Sequence, residues 1–270
     1  MAKTPQDSGP SCCSVASESF GPAGSGHPLH GPRGLDDLKS CLAAAADFRA
    51  ARGRPFIVLS YAQSVDGSIA GPQRERIRLS GPEAMRLTYT LRTLCDTILV
   101  GIGTVLADNP RLTVKQVPGR SPQPIVLDTH LRTPENARLV RRPDVRPWLV
   151  HGPEVPPARA RTLMAAGAEP VPCVNGTDGR IHLGALMHWL AEHAINSIMV
   201  EGGARVITSF IREQLADVVV ITISPQLRGG LPVIERSAFN GGLDVQLDGA
   251  FYQSLGRDLI LWARPEWAAT

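Results

Sequence analysis

The sequence of 270 residues lacks any apolar run near the roughly 20 residues that a membrane-spanning helix needs. Its N-terminus, MAKTPQDSGPSCCSV, also lacks the apolar core of a signal peptide. Charge of one sign is not in excess, since 28 Lys and Arg against 25 Asp and Glu leave a formal net charge of +3, and no Lys/Arg block stands out. These absences predict a cytoplasmic protein that binds neither a membrane nor nucleic acid.

Several catalytic motifs are missing as well. The five cysteines form no C-x-x-C pair and no histidine has the spacing of a metal ligand, so we expect no metal site and interpret Cys95 and Cys173 as packing residues. There is no G-K-[ST] of a P-loop, no G-x-S-x-G elbow and no complete G-x-G-x-x-G. These absences argue against zinc, P-loop, serine-hydrolase and Rossmann chemistry.

The composition changes twice along the chain. Residues 1–34 are rich in Gly, Pro, Ser and His, which predicts a disordered tail. Residues 35–53 carry apolar positions at helical spacing, with acids at the start and Gly53 as a C-cap. This pattern predicts a short amphipathic helix that packs either on the main domain or on a partner. Residues 54–270 are expected to form one domain.

From residue 54 onward, short apolar segments alternate with amphipathic ones. Buried strands are predicted for FIVLSYA, DTILVGIG, PIVLDT, RPWLVHG, SIMVEGG and DVVVITISP, and helices for SGPEAMRLTYTLRTLC, HLGALMHWLAEH and ARVITSFIREQL. The alternation predicts an α/β fold with a mixed, mostly parallel sheet and helices on both faces. The last segment, LDVQLDGAFYQSLGRDLILWARP, predicts an antiparallel C-terminal hairpin.

Three predicted strand ends are rich in glycine and polar residues. After SIMV, Glu201-Gly202-Gly203 lead directly into a helix, where backbone amides and the helix dipole attract an anion. A tight strand-to-helix turn explains these glycines equally well. The motif SVDGSIA also fits an ordinary turn. VGIGTVLADNPRLTV is expected to be a long polar turn, because Pro110 disfavours helix at Asn109.

Five motifs, taken in order, carry a resemblance to a known family. SVDGSIA, LRTLCDTILVGIGTVLADNPRLTV, PIVLD, INSIMVEGGARVITSFI and ADVVVITISPQLRG resemble the reductase domain of riboflavin biosynthesis. That domain is the C-terminal half of a bifunctional deaminase–reductase. The resemblance is strong over residues 55–229 and implies a dihydrofolate-reductase-like fold. The zinc signature of the deaminase, H-x-E with P-C-x-x-C, is missing, so a stand-alone reductase is expected.

The resemblance implies both a reaction and a cofactor. NADPH would reduce the ribosyl group of a 5-amino-6-(5-phosphoribosylamino)uracil-type pyrimidine to the ribityl form. The resemblance does not decide whether the substrate is the deaminated or the undeaminated pyrimidine. The family often dimerises through its sheet edge, which implies a homodimer. Family positions that contact the cofactor match Ala62, Thr104, Asp108, Thr129, Gly202, Gly203, Ala204 and Arg205, and the pyrophosphate stretch runs to Ser209.

Family positions that contact the substrate match Arg92, Leu112, Lys115 and Glu201. Cations suit the 5′-phosphate, and a carboxylate accepts hydrogen bonds from pyrimidine N–H groups, although Arg92 alone also fits an ordinary helix-end charge. Lys115 departs from the family, which commonly has Arg there, and Lys loses the bidentate fork. Arg76 replaces a polar, serine-type contact, so its role stays open. Arg132 is either a ligand of a cofactor 2′-phosphate or a solvated loop charge.

The catalytic residues predicted from these motifs are Asp66 and Glu201. Hydride transfer needs little from side chains because the nicotinamide carries the chemistry. A proton donor would nevertheless help the sugar to open, and these two acids lie in matched motifs near both ligands. A packed Asp-Gly turn accounts for Asp66 equally well.

Two other interpretations stay open from the sequence. One is a reductase of the same fold that acts on another pyrimidine or on a pterin, and the residues at positions 115 and 76 favour it. The other is a non-catalytic nucleotide-binding protein whose working parts are the tail and the helix of residues 35–53. Turnover of a pyrimidine would separate the first from the second.

Overall fold

The computed structural model describes residues 31–235 and 245–267. Most of the predicted disordered tail, residues 1–30, lies outside the described residues. The strands are β1 (Phe56–Ser64), β2 (Ser68–Ala70), β3 (Thr97–Gly101), β4 (Gln123–Leu127), β5 (Trp148–His151), β6 (Glu169–Pro172), β7 (Ser197–Val200), β8 (Val218–Ser224), β9 (Leu231–Pro232), β10 (Val245–Leu255) and β11 (Asp258–Trp267). The helices are α1 (Leu35–Ala43), α2 (Ala45–Arg52), α3 (Pro82–Leu94), α4 (Ile102–Asp108), α5 (Pro157–Ala166), α6 (Leu183–Glu192) and α7 (Ala204–Arg212).

Nine of the described strands form one sheet in the order β10-β11-β8-β1-β7-β3-β4-β5-β6. Every neighbouring pair from β8 to β6 is parallel. The last strand, β11, runs antiparallel to both β8 and β10. The predicted mixed, mostly parallel sheet with an antiparallel C-terminal hairpin is therefore confirmed.

Helices cover both faces of this sheet, as predicted. Alternate strand residues point to opposite faces, so Ile57 and Leu59 pack with α6 and α7, whereas Phe56 and Val58 pack with α1, α2 and α3. A third cluster packs α4 and α5 against β3 and β4 on the second face. Each fully buried Leu or Phe contributes roughly 1.5–3 kcal/mol to folding. Cys95 and Cys173 are buried in these clusters, which fits their interpretation as packing residues.

The N-terminal amphipathic segment packs on the main domain. Leu38 and Phe48 are buried against the sheet, and the Phe48 ring meets that of Phe56 edge-on at 5.3 Å. The segment forms two helices because Ala44 leaves the helical conformation (φ −92°, ψ 6°), whereas Gly53 ends α2 in the left-handed region as predicted. The division of the chain at residue 54 stays a prediction.

The four described residues of the predicted tail lie on the C-terminal hairpin. A Cβ atom at Gly31 would sit 2.8 Å from the carbonyl oxygen of Asp248, so this glycine is in close contact with β10. Gly31, Pro32 and Gly34 are buried. Packing against the C-terminal hairpin therefore includes residues that precede α1.

The predicted polar turn after β3 is wrong over most of its length. Residues 102–108 form α4, and buried Ile102 and Val105 attach it to the sheet. A helix this short depends on such packing rather than on propensity. Asn109 then adopts a left-handed conformation (φ 43°) and ends the helix before Pro110. Two further elements, α5 and β6, were not predicted, and β6 forms one edge of the sheet.

The central strands separate at their carboxyl ends. β1 pairs with β7 only as far as Leu59 and Val200, but it continues beside β8 to Ser64. Past Val200 the chain turns through residues 201–203 into α7, so the end of β1 keeps one unpaired edge. Ligands of open α/β sheets bind at such points, where neighbouring connections diverge to opposite faces.

Candidate functional site

A cavity of about 800 Å³ lies at this point. The carboxyl ends of β1, β3, β4 and β7 border it, together with α3 and α4 from one face of the sheet and α7 from the other. The volume is in the range of small-molecule sites. The divergence of β1 and β7 thus gives one ligand site access to both faces.

Most of the predicted site residues meet in this cavity. Its lining includes Ala62, Arg76, Arg92, Thr104, Asp108, Thr129, Arg132, Glu201, Gly202, Gly203, Ala204 and Arg205. These positions span more than half of the sequence and come together because parallel strands end at the same edge of the sheet. Asp66, Leu112 and Lys115 are absent from the lining. The ligand roles of all these residues stay predictions.

The surroundings of the two glycines before α7 differ, so glycine is present at each position for a different physical reason. A Cβ atom at Gly202 would lie 2.3 Å from the Cβ of Val206, so Gly202 is needed by the packing of α7 itself. A Cβ atom at Gly203 would meet nothing nearer than the Thr104 hydroxyl at 3.7 Å. A tight turn and a phosphate contact are the two explanations that the sequence offers for these glycines. The structure supports the tight turn as the explanation for Gly202, whereas a phosphate contact stays a prediction for Gly203.

The first turn of α7 offers free amide donors. Gly203 is its N-cap residue and accepts the Ile207 N–H at 3.1 Å, but no side chain caps the helix. The first N–H groups of a helix have no partner within the helix, and here they border the cavity. This arrangement fits an anion such as a phosphate.

Arg92 and Glu201 form a bidentate ion pair. The Nε and Nη2 atoms of Arg92 donate to the two carboxylate oxygens of Glu201, both at 2.6 Å. The Nη1 atom donates to the carbonyl oxygen of Thr113 at 2.9 Å. Burial lowers the pKa of Arg92, but the Glu201 carboxylate outweighs this effect and the net shift is upward. Arg92 therefore positions Glu201, and the pair is more than a helix-end charge.

A weaker ion pair joins two other residues of the cavity lining. The Nε atom of Arg76, in the loop between β2 and α3, lies 3.8 Å from Oδ1 of Asp108 at the end of α4. Burial raises the pKa of the Asp108 carboxyl, and the Arg76 charge partly offsets this shift. The Arg76 side chain is 75% exposed, so the contact is solvent-screened and contributes little to stability.

Two predicted substrate residues lie elsewhere in the structure. Leu112 is buried in the cluster that packs α4 and α5, and its carbonyl oxygen accepts a hydrogen bond from Arg142 at 3.3 Å. Lys115 is exposed. Neither side chain borders the cavity as it stands, so neither is placed to contact a ligand there.

Asp66 anchors a turn and is poorly suited to donate a proton. Its carboxylate accepts hydrogen bonds from the hydroxyls of Ser64 and Ser68 and from the backbone N–H groups of Arg228 and Gly229. These bonds, that from Ser64 foremost, hold the pKa of Asp66 well below its usual range, so the group is ionised at neutral pH. The geometry thus argues against the catalytic role predicted for Asp66 and supports the turn.

Asp66→Asn should change stability more than catalysis. The pKa of Asp66 is lower in the folded chain than in the unfolded chain, so its contribution to stability is present above about pH 4 and disappears as the pH falls through the folded pKa. We expect melting temperatures to show a wild-type advantage at pH 6 that shrinks below about pH 4. The loss in kcat should stay well below the roughly 100-fold that removing a general acid causes. A roughly 100-fold loss in kcat without a change in Tm would instead support Asp66 as the proton donor.

Known proteins match this arrangement along most of the chain. The model of the RibD C-terminal domain matches residues 55–261. The chain belongs to the RibD C-terminal domain family. A protein of Methanothermobacter thermautotrophicus is 36% identical over 217 residues, which are 77% of this chain and 97% of that protein. One of Archaeoglobus fulgidus is 36% identical over 187 residues, 66% of this chain and 83% of that protein. Both are named 2,5-diamino-6-ribosylamino-4(3H)-pyrimidinone 5′-phosphate reductase.

Solved structures of RibD C-terminal domain relatives have the same fold. RibD of Acinetobacter baumannii superposes with a TM-score of 0.67 at 23% identity, over 81% of this chain and 60% of that one. The riboflavin biosynthesis reductase Rib7 of Saccharomyces cerevisiae gives a TM-score of 0.63 at 28% identity, over 85% of this chain and all of that one. The predicted dihydrofolate-reductase-like fold is confirmed.

A nicotinamide cofactor is expected for a reductase of this family, and the cavity of this RibD C-terminal domain fits one. The uncapped first turn of α7 suits a pyrophosphate, and a Cβ atom at Gly103 would meet no atom within 4 Å, so the backbone there is open to a ligand. Among residues 31–235 and 245–267, no cluster of His, Cys, Asp and Glu could bind a metal ion. Within the same described part, no helix is both long and apolar enough to span a bilayer.

Several residues that line the cavity of this RibD C-terminal domain were not predicted from the sequence. Tyr61 lies in the second half of β1, and burial raises the pKa of its hydroxyl to about 12. Asp178, Gly179 and Arg180 come from a turn before α6. The Asp-Gly pair predicts such a turn, but nothing in the sequence places it beside strands that lie more than fifty residues away.

Proposed function

We propose that this chain is the NADPH-dependent reductase of riboflavin biosynthesis that acts on 2,5-diamino-6-ribosylamino-4(3H)-pyrimidinone 5′-phosphate. It would convert the ribosylamino group of this substrate to a ribitylamino group. The enzyme class rests on membership of the RibD C-terminal domain family, whose match covers residues 55–261. The undeaminated substrate rests on the names of the two archaeal relatives.

One structural observation carries the proposal. The cavity brings the uncapped N-terminus of α7 and the carboxylate of Glu201 to the unpaired edge of β1. The amides of α7 suit the cofactor pyrophosphate. A dihydronicotinamide bound there would supply the hydride. Glu201, which directly precedes the glycines, then lies close to both ligands.

Glu201 would orient the pyrimidine. A carboxylate has about four acceptor sites and Arg92 occupies one on each oxygen, so acceptor capacity remains for substrate N–H groups. The 2-amino group and the neighbouring ring N–H of the diaminopyrimidinone are donors of the right kind, whereas a uracil presents a carbonyl oxygen at the corresponding carbon. A uracil keeps ring N–H donors, so Glu201 suits both pyrimidines, and the choice of the undeaminated substrate rests on the names of the two archaeal relatives.

The reaction asks the protein mainly to position its ligands. Opening of the ribosylamine ring gives a C1=N imine and a hydroxyl at C4′. A hydride then adds to C1 and a proton to the nitrogen, which completes the ribitylamino group. Because the hydride comes from the cofactor, orientation and exclusion of water are the protein's contributions. The Arg92–Glu201 pair in the lining of the cavity suits the first of these tasks.

Consumption of NADPH with each of the two pyrimidines tests the proposal. We expect turnover with the diaminopyrimidinone and NADPH, and weaker activity when NADH replaces NADPH or when the deaminated uracil replaces the substrate. Turnover on the uracil alone would contradict the substrate assignment. Tight NADPH binding without turnover on either pyrimidine would contradict the enzyme assignment.

A further inference from the structure

Arginines around the cavity differ in whether they have partners. Among the described residues, Arg76, Arg92, Arg205 and Arg212 form ion pairs with carboxylates. Arg74, Arg132 and Arg180 also line the cavity, and within the described part of the chain their guanidinium groups form no hydrogen bond or ion pair, although the charges of Arg180 and Asp178 interact. Arg74 belongs to the loop between β2 and α3, whereas Arg132 and Arg180 follow β4 and precede α6. An unpaired cation in a ligand cavity suits an anionic ligand group.

The two loops that carry Arg132 and Arg180 lie side by side. The carbonyl oxygen of Thr129 accepts the Gly152 N–H at 2.9 Å. A Cβ atom at Gly152 would lie 2.7 Å from Oδ1 of Asn175, so these two residues are in contact. Asn175 in turn pairs with Ile181, the neighbour of Arg180. The loop after β4 and the turn before α6 therefore meet at one end of the cavity.

The backbone at both arginines is fixed. Oδ1 of Asp128 accepts the Arg132 N–H at 2.9 Å, and Asp128 is fully buried. Oδ1 of Asp178 accepts the Arg180 N–H at 3.1 Å, and the carbonyl oxygen of Arg180 accepts the Gly176 N–H at 2.7 Å. Only the exposed side chains remain adjustable, so they can close on a ligand without movement of the loops.

This end of the cavity is also tied to α7. The second oxygen of Asp178 pairs with Arg212 in the last turn of α7 at 3.2 Å. A helix of nine residues is about 13 Å long, so the first-turn amides and this turn border the same cavity at opposite ends of one helix. In a nicotinamide dinucleotide the adenosine ribose directly follows the pyrophosphate. A ribose that leaves the start of α7 along the helix would approach the two arginines.

We propose that Arg132 and Arg180 bind the 2′-phosphate of the cofactor and select NADPH over NADH. The proposal names the selectivity determinant of the cofactor site and rests on the proposed function only for the cofactor itself. Two guanidinium forks suit a phosphate monoester dianion, and the 2′-hydroxyl of NADH offers them no charge. Sites selective for NADH instead use a free carboxylate on that hydroxyl, and here the nearby Asp178 is already engaged by Arg212.

Binding of cofactor fragments tests the pair without any turnover. Calorimetry should show that the full chain binds 2′,5′-ADP at least about tenfold more tightly than 5′-AMP, because each charge-assisted contact is worth about that factor. Arg132→Gln and Arg180→Gln should each lower this ratio about tenfold or remove it, and the double variant should bind both nucleotides alike. Arg138→Gln is the matched control, since Arg138 is exposed on the same loop region and does not border the cavity.

Each outcome bears on one of the two proposals. Equal wild-type affinity for 2′,5′-ADP and 5′-AMP would overturn the arginine pair, as would a ratio that both variants leave unchanged. The pyrimidine assay decides the proposed function separately. Turnover with equal preference for NADPH and NADH would support the reductase function and contradict the role of Arg132 and Arg180. Selective binding of 2′,5′-ADP without turnover would support the role of the two arginines and contradict the reductase function. Melting temperatures close to wild type would exclude misfolding, as expected for exposed side chains.

Discussion

Arg92→Met should lower the free energy of unfolding by about 3 kcal/mol, because it leaves the Glu201 carboxylate without its countercharge. The two side chains are only 12% and 17% exposed, so water cannot replace the lost bidentate contact fully. The freed carboxylate would also lose its orientation, and we expect KM for the pyrimidine to rise at least about tenfold, the worth of a charge-assisted hydrogen bond. Urea denaturation and steady-state kinetics measure the two effects.

A second buried ion pair provides the control. Arg54 and Asp217 are each 9% exposed and make two hydrogen bonds of 2.7 and 2.8 Å, but they lie at the start of β1 and β8, opposite the cavity. Arg54→Met should destabilise the fold comparably and leave KM unchanged in the folded enzyme. The double variant Arg92→Met/Glu201→Gln should be more stable than Arg92→Met, because no unpaired charge is buried. Equal stability of these two would show that the charge is already solvated.

Gly202→Ala and Gly203→Ala should both weaken NADPH binding but differ in their effect on stability. At Gly202 the new methyl group would collide with Val206, so the first turn of α7 must move. We expect a loss of about 1–3 kcal/mol from overpacking, together with strongly weakened NADPH binding. At Gly203 the methyl group has room and φ is −74°, but alanine is disfavoured at an N-cap and this offsets the gain in backbone entropy, so stability should change by less than about 1 kcal/mol. Its methyl group would nevertheless lie beside the amides offered to the pyrophosphate and weaken NADPH binding.

Thermal denaturation and NADPH titration by fluorescence distinguish these effects. Adding Val206→Ala to Gly202→Ala should recover much of the lost stability, since the collision is between those two side chains. If Gly203→Ala were the more destabilised variant, the assignment of the two glycines would be reversed. If both variants bound NADPH like wild type, the cofactor phosphate would lie elsewhere.

The central strands of the sheet were predictable because they are apolar along most of their length. SIMV is buried at all four positions, which only a strand covered on both faces requires. In contrast, α4 carries Gly103 and is followed by Asn109-Pro110, so its local signals favour a turn. Buried Ile102 and Val105 override them through contacts with distant strands. Packing of that kind has no local signature.

The site was predictable as a set of positions but not as a set of contacts. Arg92 and Glu201 are separated by 109 positions and were both expected to face the substrate, yet they bind each other. Asp66 was a plausible acid until its partners at positions 228 and 229 were known. A sequence shows which groups are present. Their protonation state and their remaining hydrogen-bond donors and acceptors depend on the neighbours that folding brings to them.

The burial of α1 and α2 determines where the chain can be cut. The family match starts at residue 55, but Leu38, Ala45 and Phe48 cover Phe56, Val58 and Trp262 on the sheet. A fragment trimmed to the matched residues would present that apolar surface to solvent and invite aggregation. The smallest unit suited to expression and crystallisation therefore includes both N-terminal helices, although the family boundary omits them.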